Sequence, residues 1–320
     1  MSSPKSVLIT GCSTGGIGHG LALIFQRKGF IVFATARDIS KMSDLGALPN
    51  IHLLALDVTS KTSIQEAVKS VAALTDGRGL DILVNNSGQQ YTMPMTDIVE
   101  EEARRMFDVN FWGVFAVTQA FVDMVIAVKG VIVNMASISG YWYTPYMTVY
   151  NASKAALVMF GETLRLELSP FGVRVVSVIA GAVDTNIMRN SPVPELPESS
   201  RYFAARKQII DLAAGADNDG LKRMSVKAFA EKVVNDVLQG ANGRIWRGEY
   251  SSIVRLSNVM MPTAVLPREN EILVEAPVNL EALSSFRPLL RLLIQNHVIR
   301  SYSYDAIRDE IHLVCATQRD

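Results

Sequence analysis

Tyr150 and Lys154 stand four residues apart in Tyr150–Leu168, a stretch whose apolar spacing predicts a helix, so the phenol and the ammonium share one face. Ser137 lies thirteen residues upstream of Tyr150, near the end of a β-rich run that begins at Val131. A free phenol titrates near 10 and handles protons poorly at neutral pH. Moving it to roughly 7 takes about 4 kcal/mol of preferential phenolate stabilisation, toward which a nearby ammonium contributes. The Ser137 hydroxyl could hydrogen-bond a substrate oxygen and hold it beside Tyr150, so the chemistry to expect is proton transfer at a carbonyl or alcohol oxygen. Alone, a Tyr-x-x-x-Lys pair reads more readily as two surface residues of a helix.

A second group of residues has the types that hold a dinucleotide. The run Ser6–Thr10 ends in Thr10-Gly11-Cys12-Ser13-Thr14-Gly15-Gly16-Ile17-Gly18, and a helix follows at once. Glycines in such a turn let backbone N–H groups approach a pyrophosphate at the positive end of that helix. Gly11, Ser13, Thr14, Gly16, Ile17 and Gly18 are the candidate contacts. Arg37 follows the second run, where a dinucleotide fold meets the adenosine ribose; an acidic residue there accepts from a 2′-hydroxyl, whereas an arginine offers a charge-assisted fork to a 2′-phosphate. Arg37 therefore points to NADPH/NADP+, against the alternative of a solvated surface arginine beside Asp38. Asp57 and Val58 close the third run, where a carboxylate could take the adenine amino group. Asn86, Ser87 and Gly88 close the fourth, with groups that permit close approach of a cofactor.

These residues need a scaffold, and the chain supplies six short β-rich runs: Ser6–Thr10, Ile31–Thr35, Ile51–Leu56, Asp81–Asn85, Val131–Met135 and Val173–Ile179. Most have room for a helix between them, which calls for crossovers and hence a doubly wound α/β fold with a parallel sheet covered on both faces. Leu21–Lys28, Ser63–Leu74, Glu100–Val125 and Tyr150–Leu168 carry helical apolar spacing. The Pro-rich segment at 186–221 breaks the rhythm just past the sixth run, where ligands bind, and reads as a substrate lid or, alternatively, a surface insertion. The catalytic domain is expected over 1–262, with 263–320 a C-terminal extension that contains one mostly apolar helix, Phe286–Arg300. Attachment to a lipid surface, docking on a neighbour and covering the pocket are all open to it.

Composition removes several classes. Lys+Arg and Asp+Glu both number 31, so no net charge draws the chain to nucleic acid. Cys12 and Cys315 form neither a disulfide framework nor a metal pair, which with the absence of a signal-like start favours the cytoplasm. Phe111–Val122 and Val175–Val183 are too short for a transmembrane span. His19, His52, His297 and His312 lack metal-ligand spacing, so no metal is expected. Tyr141, Trp142, Tyr143 and Tyr146, between Ser137 and Tyr150, could wall the pocket with Gln89, Gln90 and the lid, and would suit a flat or lipid-like ketone.

Thr10-Gly11…Gly16-Ile17-Gly18, Asn85-Asn86-Ser87-Gly88, Asn110, Ser137 and Tyr150-Asn-Ala-Ser-Lys154, in that order, resemble the signature of the short-chain dehydrogenase/reductase family over roughly residues 5–262. Within it the likeness is nearest to the fungal 1-acyl-dihydroxyacetone-phosphate reductase group. The chain departs from the family pattern in one extra residue in the glycine turn, in Ala180-Gly181 for the usual Pro-Gly, and in Ser87 for alanine. The resemblance implies a Rossmann domain and a homodimer or homotetramer built on the helices Glu100–Val125 and Tyr150–Leu168. It implies catalytic roles for Asn110, Ser137, Tyr150 and Lys154, with Asn110 holding a relay water and Lys154 binding the nicotinamide ribose. Gly181, Val183 and Thr185 would join the cofactor contacts, Thr185 at the carboxamide. The expected activity is NADPH-dependent reduction of a hydrophobic or lipid-like ketone, either 1-acyl-dihydroxyacetone phosphate or a secondary-metabolite ketone. An NAD(P)+-dependent alcohol or hydroxysteroid dehydrogenase would use the same residues in reverse, and a non-catalytic dinucleotide-sensing or scaffold protein is the reading from another class.

Overall fold

Strand residues alternate between two apolar layers, and that alternation builds the fold. The structure, a computed structural model, describes residues 4–215 and 221–260. Expectations for 263–320, the helix at 286–300 among them, lie outside the described residues, as do positions 216–220 of the expected lid. The elements run β1 (Ser6–Ile9), α1 (Ile17–Arg27), β2 (Ile31–Ala36), α2 (Ser43–Gly46), β3 (Ile51–Ala55), α3 (Lys61–Leu74), β4 (Ile82–Asn85), α4 (Glu100–Phe107), α5 (Gly113–Ala127), β5 (Val131–Ser137), α6 (Thr148–Leu168) and β6 (Arg174–Ala180). They continue with β7 (Val183–Asp184), α7 (Arg206–Ala214), β8 (Met224–Ser225), α8 (Val226–Leu238), β9 (Gly243–Arg247) and α9 (Ser251–Met260).

The main sheet has strand order β3-β2-β1-β4-β5-β6-β9, and each of its pairings is parallel. Val7, Ile9, Val32, Val133 and Val176 face one layer, where Leu21 and Phe25 of α1 meet Phe229 and Val233 of α8. Their neighbours Leu8, Phe33, Leu83, Ile132 and Val175 face the other, under Val71 of α3 and Val117, Phe121 and Val125 of α5. With period-two side chains, each strand feeds both layers, which is why these runs read as nearly continuous apolar stretches. Strand order reverses between β1 and β4, so their carboxyl ends open a crevice, the place where this architecture binds ligands.

The sheet is thus the doubly wound parallel one the sequence predicts, with three differences. A seventh strand, β9, was not anticipated: Gly243-Arg-Ile-Trp-Arg247 carries two arginines among five residues and no apolar run. Its register with β6, from Val176↔Gly243 to Ala180↔Arg247, and the fork of Arg247 onto Asp236 of α8 at 2.7 Å hold it at the sheet edge. The helix expected over Glu100–Val125 is divided by a π turn at Asp108–Trp112. Finally, the whole stretch Glu100–Ala127 passes the length and composition test for a membrane span, with mean hydropathy 1.5 over its most apolar window. In the fold it flanks the sheet, with Phe121 wholly buried, and its first turn carries Glu100, Glu101 and Glu102.

Phe121→Ala should therefore cost about 3–5 kcal/mol, since the sheet cannot collapse into the space left behind. Urea denaturation should show a lower midpoint with an unchanged m-value.

Candidate active site

β5 ends on Ser137, and α6 brings Tyr150 and Lys154 over that end. All three lie where the sequence predicts a shared site. Lys154 Nζ donates to the carbonyl of Met135 at 3.0 Å and sits 5.7 Å from the centre of the Tyr150 ring. One strand therefore contributes both the serine side chain and the carbonyl that anchors the lysine. Burial pushes the Tyr150 phenol above its ordinary value, opposed by a hydrogen bond from Ser137. Burial also lowers Lys154, to about 8. The expected downward pull on the phenol is not what this chain's own groups produce: Tyr150 packs in an apolar cluster with Tyr91, Met93, Met106 and Met147. At neutral pH Tyr150 is a protonated phenol, ready to give its proton, beside a lysine that is mostly an ammonium.

Asn110 stands in the π turn, fully buried. Its Oδ1 accepts from the Gln89 N–H at 2.8 Å, and its Nδ2 donates to the Gln89 carbonyl at 2.9 Å and to Ser153 Oγ at 3.1 Å. Ser153 Oγ in turn donates to the Tyr150 carbonyl at 2.7 Å. The Asn110 side chain thus clamps the segment that leaves β4 onto the N-terminal turns of α6, beside Lys154. Gly88 lies between them: a Cβ there would come 3.5 Å from both Asn110 Oδ1 and Lys154 Nζ.

At the crevice, Thr10 does work the sequence did not single out. Its Oγ1 accepts from the backbone N–H groups of Asn86 and Ser87, both at 2.9 Å. Asn86 Nδ2 returns the tie by donating to the carbonyls of Thr10 at 2.8 Å and Gly11 at 2.9 Å. Asn86 therefore shapes the glycine turn. A Cβ on Gly18 would strike the Gly11 carbonyl and come 2.6 Å from Asn86 Nδ2, so α1 can start this close to the turn only with glycine there. Thr14 and His19 both reach Asp44 of α2, at 2.9 and 2.7 Å. Burial would raise that carboxyl, and the His19 and Thr14 hydrogen bonds outweigh it and bring it below the usual range. The Cys12 thiol is buried within the turn and pushed up to about 12 by desolvation, which leaves it inert.

Arg37 follows β2 directly, exposed and without a side-chain partner among the described residues. Asp38, the acidic neighbour that could have competed for a ribose, is committed elsewhere. Its Oδ1 accepts from Ser40 N at 2.9 Å and Ser40 Oγ at 2.6 Å, capping the short 3-10 helix Ile39–Met42, and these bonds hold its carboxyl below the usual range. Asp57 accepts from Thr59 N and Oγ1 at 2.9 and 2.7 Å, and Val58 is buried beside it. Gly181 N donates to the Arg247 carbonyl at 2.8 Å, Val183 opens β7, and Thr185 follows that strand.

The described residues fit a dinucleotide: no side chain caps α1 at Gly16, the Gly18 approach is open only to a residue without Cβ, and Arg37 is unspent. Among the described residues no His, Cys, Asp or Glu cluster could hold a metal.

The segment after β7 reaches the surroundings of Tyr150 by several contacts. Leu196 packs on the Tyr91–Met93–Met147–Tyr150 cluster, and Ser200 Oγ donates to Asp97 at 2.7 Å. Tyr202 meets Tyr146 edge to face at 5.6 Å, with Tyr146 in the left-handed region at φ 61°. Of the aromatic residues expected in the wall, Tyr141 is instead engaged by Trp246 at 4.9 Å and by Arg244, both on β9. Tyr91, Met93 and Met147 are the residues that pack against Tyr150. They lie in irregular segments with no periodicity to mark them.

The sequence profile of the short chain dehydrogenase family matches residues 5–195. The chain is 43% identical over 258 residues to the short-chain dehydrogenase PC-15 of Penicillium crustosum, covering 81% of this chain and 93% of that one. It is 36% identical over 293 residues to the NADPH-dependent 1-acyldihydroxyacetone phosphate reductase of Schizosaccharomyces pombe, covering 87% and 96%. Among solved structures, a short-chain dehydrogenase from Streptomyces avermitilis aligns with a TM-score of 0.69 at 24% identity over 81% of this chain and 93% of its own, a likeness of fold. A short chain dehydrogenase from Burkholderia cenocepacia, in complex with NADP, aligns at 0.64 and 25% over 82% and 96%.

Thr10→Val keeps the shape of the side chain and removes the acceptor for two backbone N–H groups. Each N–H left unsatisfied costs about 1–3 kcal/mol, so the variant should unfold at lower urea than the parent and bind dinucleotide more weakly by fluorescence titration.

Proposed function

The chain belongs to the short-chain dehydrogenase family of oxidoreductases, and from that premise we propose that it is an NADPH-dependent reductase converting the carbonyl of a hydrophobic, lipid-like ketone to an alcohol. The observation that carries this reading is Tyr150, a buried phenol kept in its protonated form at the end of β5 near Ser137 and packed against Tyr91, Met93 and Met147. A protonated phenol is an acid, which is what a carbonyl oxygen requires on reduction. Once deprotonated, the same group would serve as the base of the reverse oxidation, and the free protein holds the acid form.

Gly11, Ser13, Thr14, Gly16, Ile17 and Gly18 would hold the pyrophosphate, Arg37 the 2′-phosphate, Asp57 and Val58 the adenine. Asn86, Ser87 and Gly88 would line the crevice, Lys154 the nicotinamide ribose, and Gly181, Val183 and Thr185 the carboxamide end. When bound, the nicotinamide supplies a hydride to the carbonyl carbon. Ser137 orients the carbonyl oxygen, and Tyr150 donates its proton as negative charge develops there. The Lys154 ammonium, fixed by the Met135 carbonyl, stabilises the phenolate that remains. Asn110 and Ser153 keep the first turn of α6 in register with the Gln89 backbone, so the phenol stays aimed.

Arg37, unpaired while Asp38 is occupied, supports NADPH over NADH. The likeness to the fission-yeast reductase, which covers nearly that protein's whole length, supports a 1-acyldihydroxyacetone phosphate or similar lipid-like ketone. Residues 1–262 would form the catalytic domain and 186–221 its lid. The exposed Trp112, Phe115, Met159 and Leu166, on the π turn, α5 and α6, would pair copies of the chain into a homodimer or homotetramer.

Tryptophan fluorescence titration should give NADPH at least about tenfold tighter binding than NADH, a margin near 1.4 kcal/mol that Arg37→Ala removes. Equal binding of the two by the parent protein would overturn the NADPH reading. Tyr150→Phe should keep NADPH binding and lose turnover on a ketone panel. Because Lys154 titrates at about 8, kcat/KM for NADPH should fall as pH rises through that value and the ammonium is lost, a profile that Lys154→Arg shifts to higher pH.

A further inference from the structure

At Thr185, the segment after β7, the end of α7 and the segment entering β8 line a half-open cavity of about 210 Å³ whose wall includes Asp184, Thr185, Met188, Arg189, Gly215 and Arg223. We propose that it is an anion subsite in which Arg189 and Arg223 take the phosphate monoester of a phosphorylated ketone, a proposal that rests on the reductase reading and names its substrate class.

Arg223 is half-buried and held in place. Its Nη1 and Nη2 both contact Met188 Sδ at 3.8 Å, and Nη2 also donates to the Gly215 carbonyl at 3.4 Å. Gly215, at φ +73° after α7, is part of that mounting: a Cβ there would come 2.5 Å from Met188 Sδ and 3.1 Å from Arg223 Nη2. A soft sulfur and one long carbonyl contact leave most of the guanidinium's five donors unused, and among the described residues no carboxylate pairs with it. Arg189 lines the same cavity, exposed and without a side-chain partner among the described residues. By contrast Arg104, Arg105, Arg165, Arg244 and Arg247 each meet a carboxylate. Among the described residues, the two guanidinium charges face one opposing carboxylate in this wall, that of Asp184, a balance that favours an anion. A phosphate ester carries nearly two negative charges at neutral pH and offers the oxygens that planar guanidinium forks match.

The position suits a head group. Ala180, at the end of β6, is paired with Ser137, and the chain then runs through β7 to Thr185, so the cavity belongs to the same end of the sheet as the catalytic serine. The wall over Tyr150 is apolar, with Tyr91, Met93, Met147 and Leu196. An amphipathic ketone would place its acyl chain along that wall and its phosphate between the arginines.

The test compares 1-acyldihydroxyacetone phosphate with its dephosphorylated counterpart in the parent, Arg189→Gln, Arg223→Gln and the double variant. KM for the phosphorylated ketone should rise about tenfold or more in the double variant, with kcat, NADPH affinity and the activity on the dephosphorylated ketone unchanged. Inorganic phosphate should compete with the phosphorylated ketone in the parent alone. An equal loss on both ketones would overturn the proposal, and weakened NADPH binding would assign the arginines to the dinucleotide instead. Arg189 is exposed, so its single variant reports even if the double variant folds poorly. Should neither ketone be reduced although NADPH binds, the reductase reading fails, and calorimetric titration of the NADPH-loaded protein with glycerol 3-phosphate decides the subsite alone: binding lost in Arg189→Gln supports it, and no binding overturns it.

Discussion

An ammonium buried against a sheet is expensive to hold, and this protein holds Lys154 with one backbone carbonyl, that of Met135, at 3.0 Å. The rest of the site depends on that contact. It ties α6 to β5 two residues before Ser137, so the ammonium and the serine are referenced to the same strand. The cost of burial shows in the lowered Lys154 and the raised Tyr150. The two directions share one cause, removal from water, and together describe a site poised to donate a proton.

Around this pair, polar side chains are used mainly to fasten loops to the scaffold. Asn110 grips Gln89 by both its N–H and its carbonyl, Thr10 grips Asn86 and Ser87, and Asn86 grips the glycine turn. Asn110 ties the loop at Gln89 to the π turn, while Thr10 and Asn86 tie the segments that leave β1 and β4 to each other. Preorganisation here is a matter of backbone held by buried amides and hydroxyls, so that the groups meeting a ligand need not be ordered when it arrives.

Much of this was legible in the sequence where a local rule applied. The four-residue spacing of Tyr150 and Lys154, the glycine turn between β1 and α1, and Arg37 after β2 each follow from element geometry that a short window contains. The parallel sheet followed from apolar runs with room for crossovers. What escaped depends on partners distant in the chain. β9 is a strand because β6 offers an edge and Asp236 receives Arg247, neither of which its five residues declare. The π turn at Asp108–Trp112 interrupts a helix whose apolar spacing carries on across it. Tyr91 and Met93 join Tyr150 through loops without period, and Tyr141 was drawn away from the pocket by Trp246 and Arg244.

β5 supplies both a side chain and a main-chain oxygen to the site, Ser137 and the Met135 carbonyl, and its consequence reaches beyond catalysis. Inserting or deleting one residue in this strand would turn Ser137 to the opposite face of the sheet and displace the lysine's anchor in the same event. The side chains packed around Tyr150 come instead from less regular segments: Tyr91, Met93, Leu196 and Tyr202 stand on connections. Reactivity and selectivity are therefore separable units of variation. Side chains on those connections could be varied to change selectivity, provided the strand and the tethered residues Asn86, Ser87 and Gln89 are left untouched.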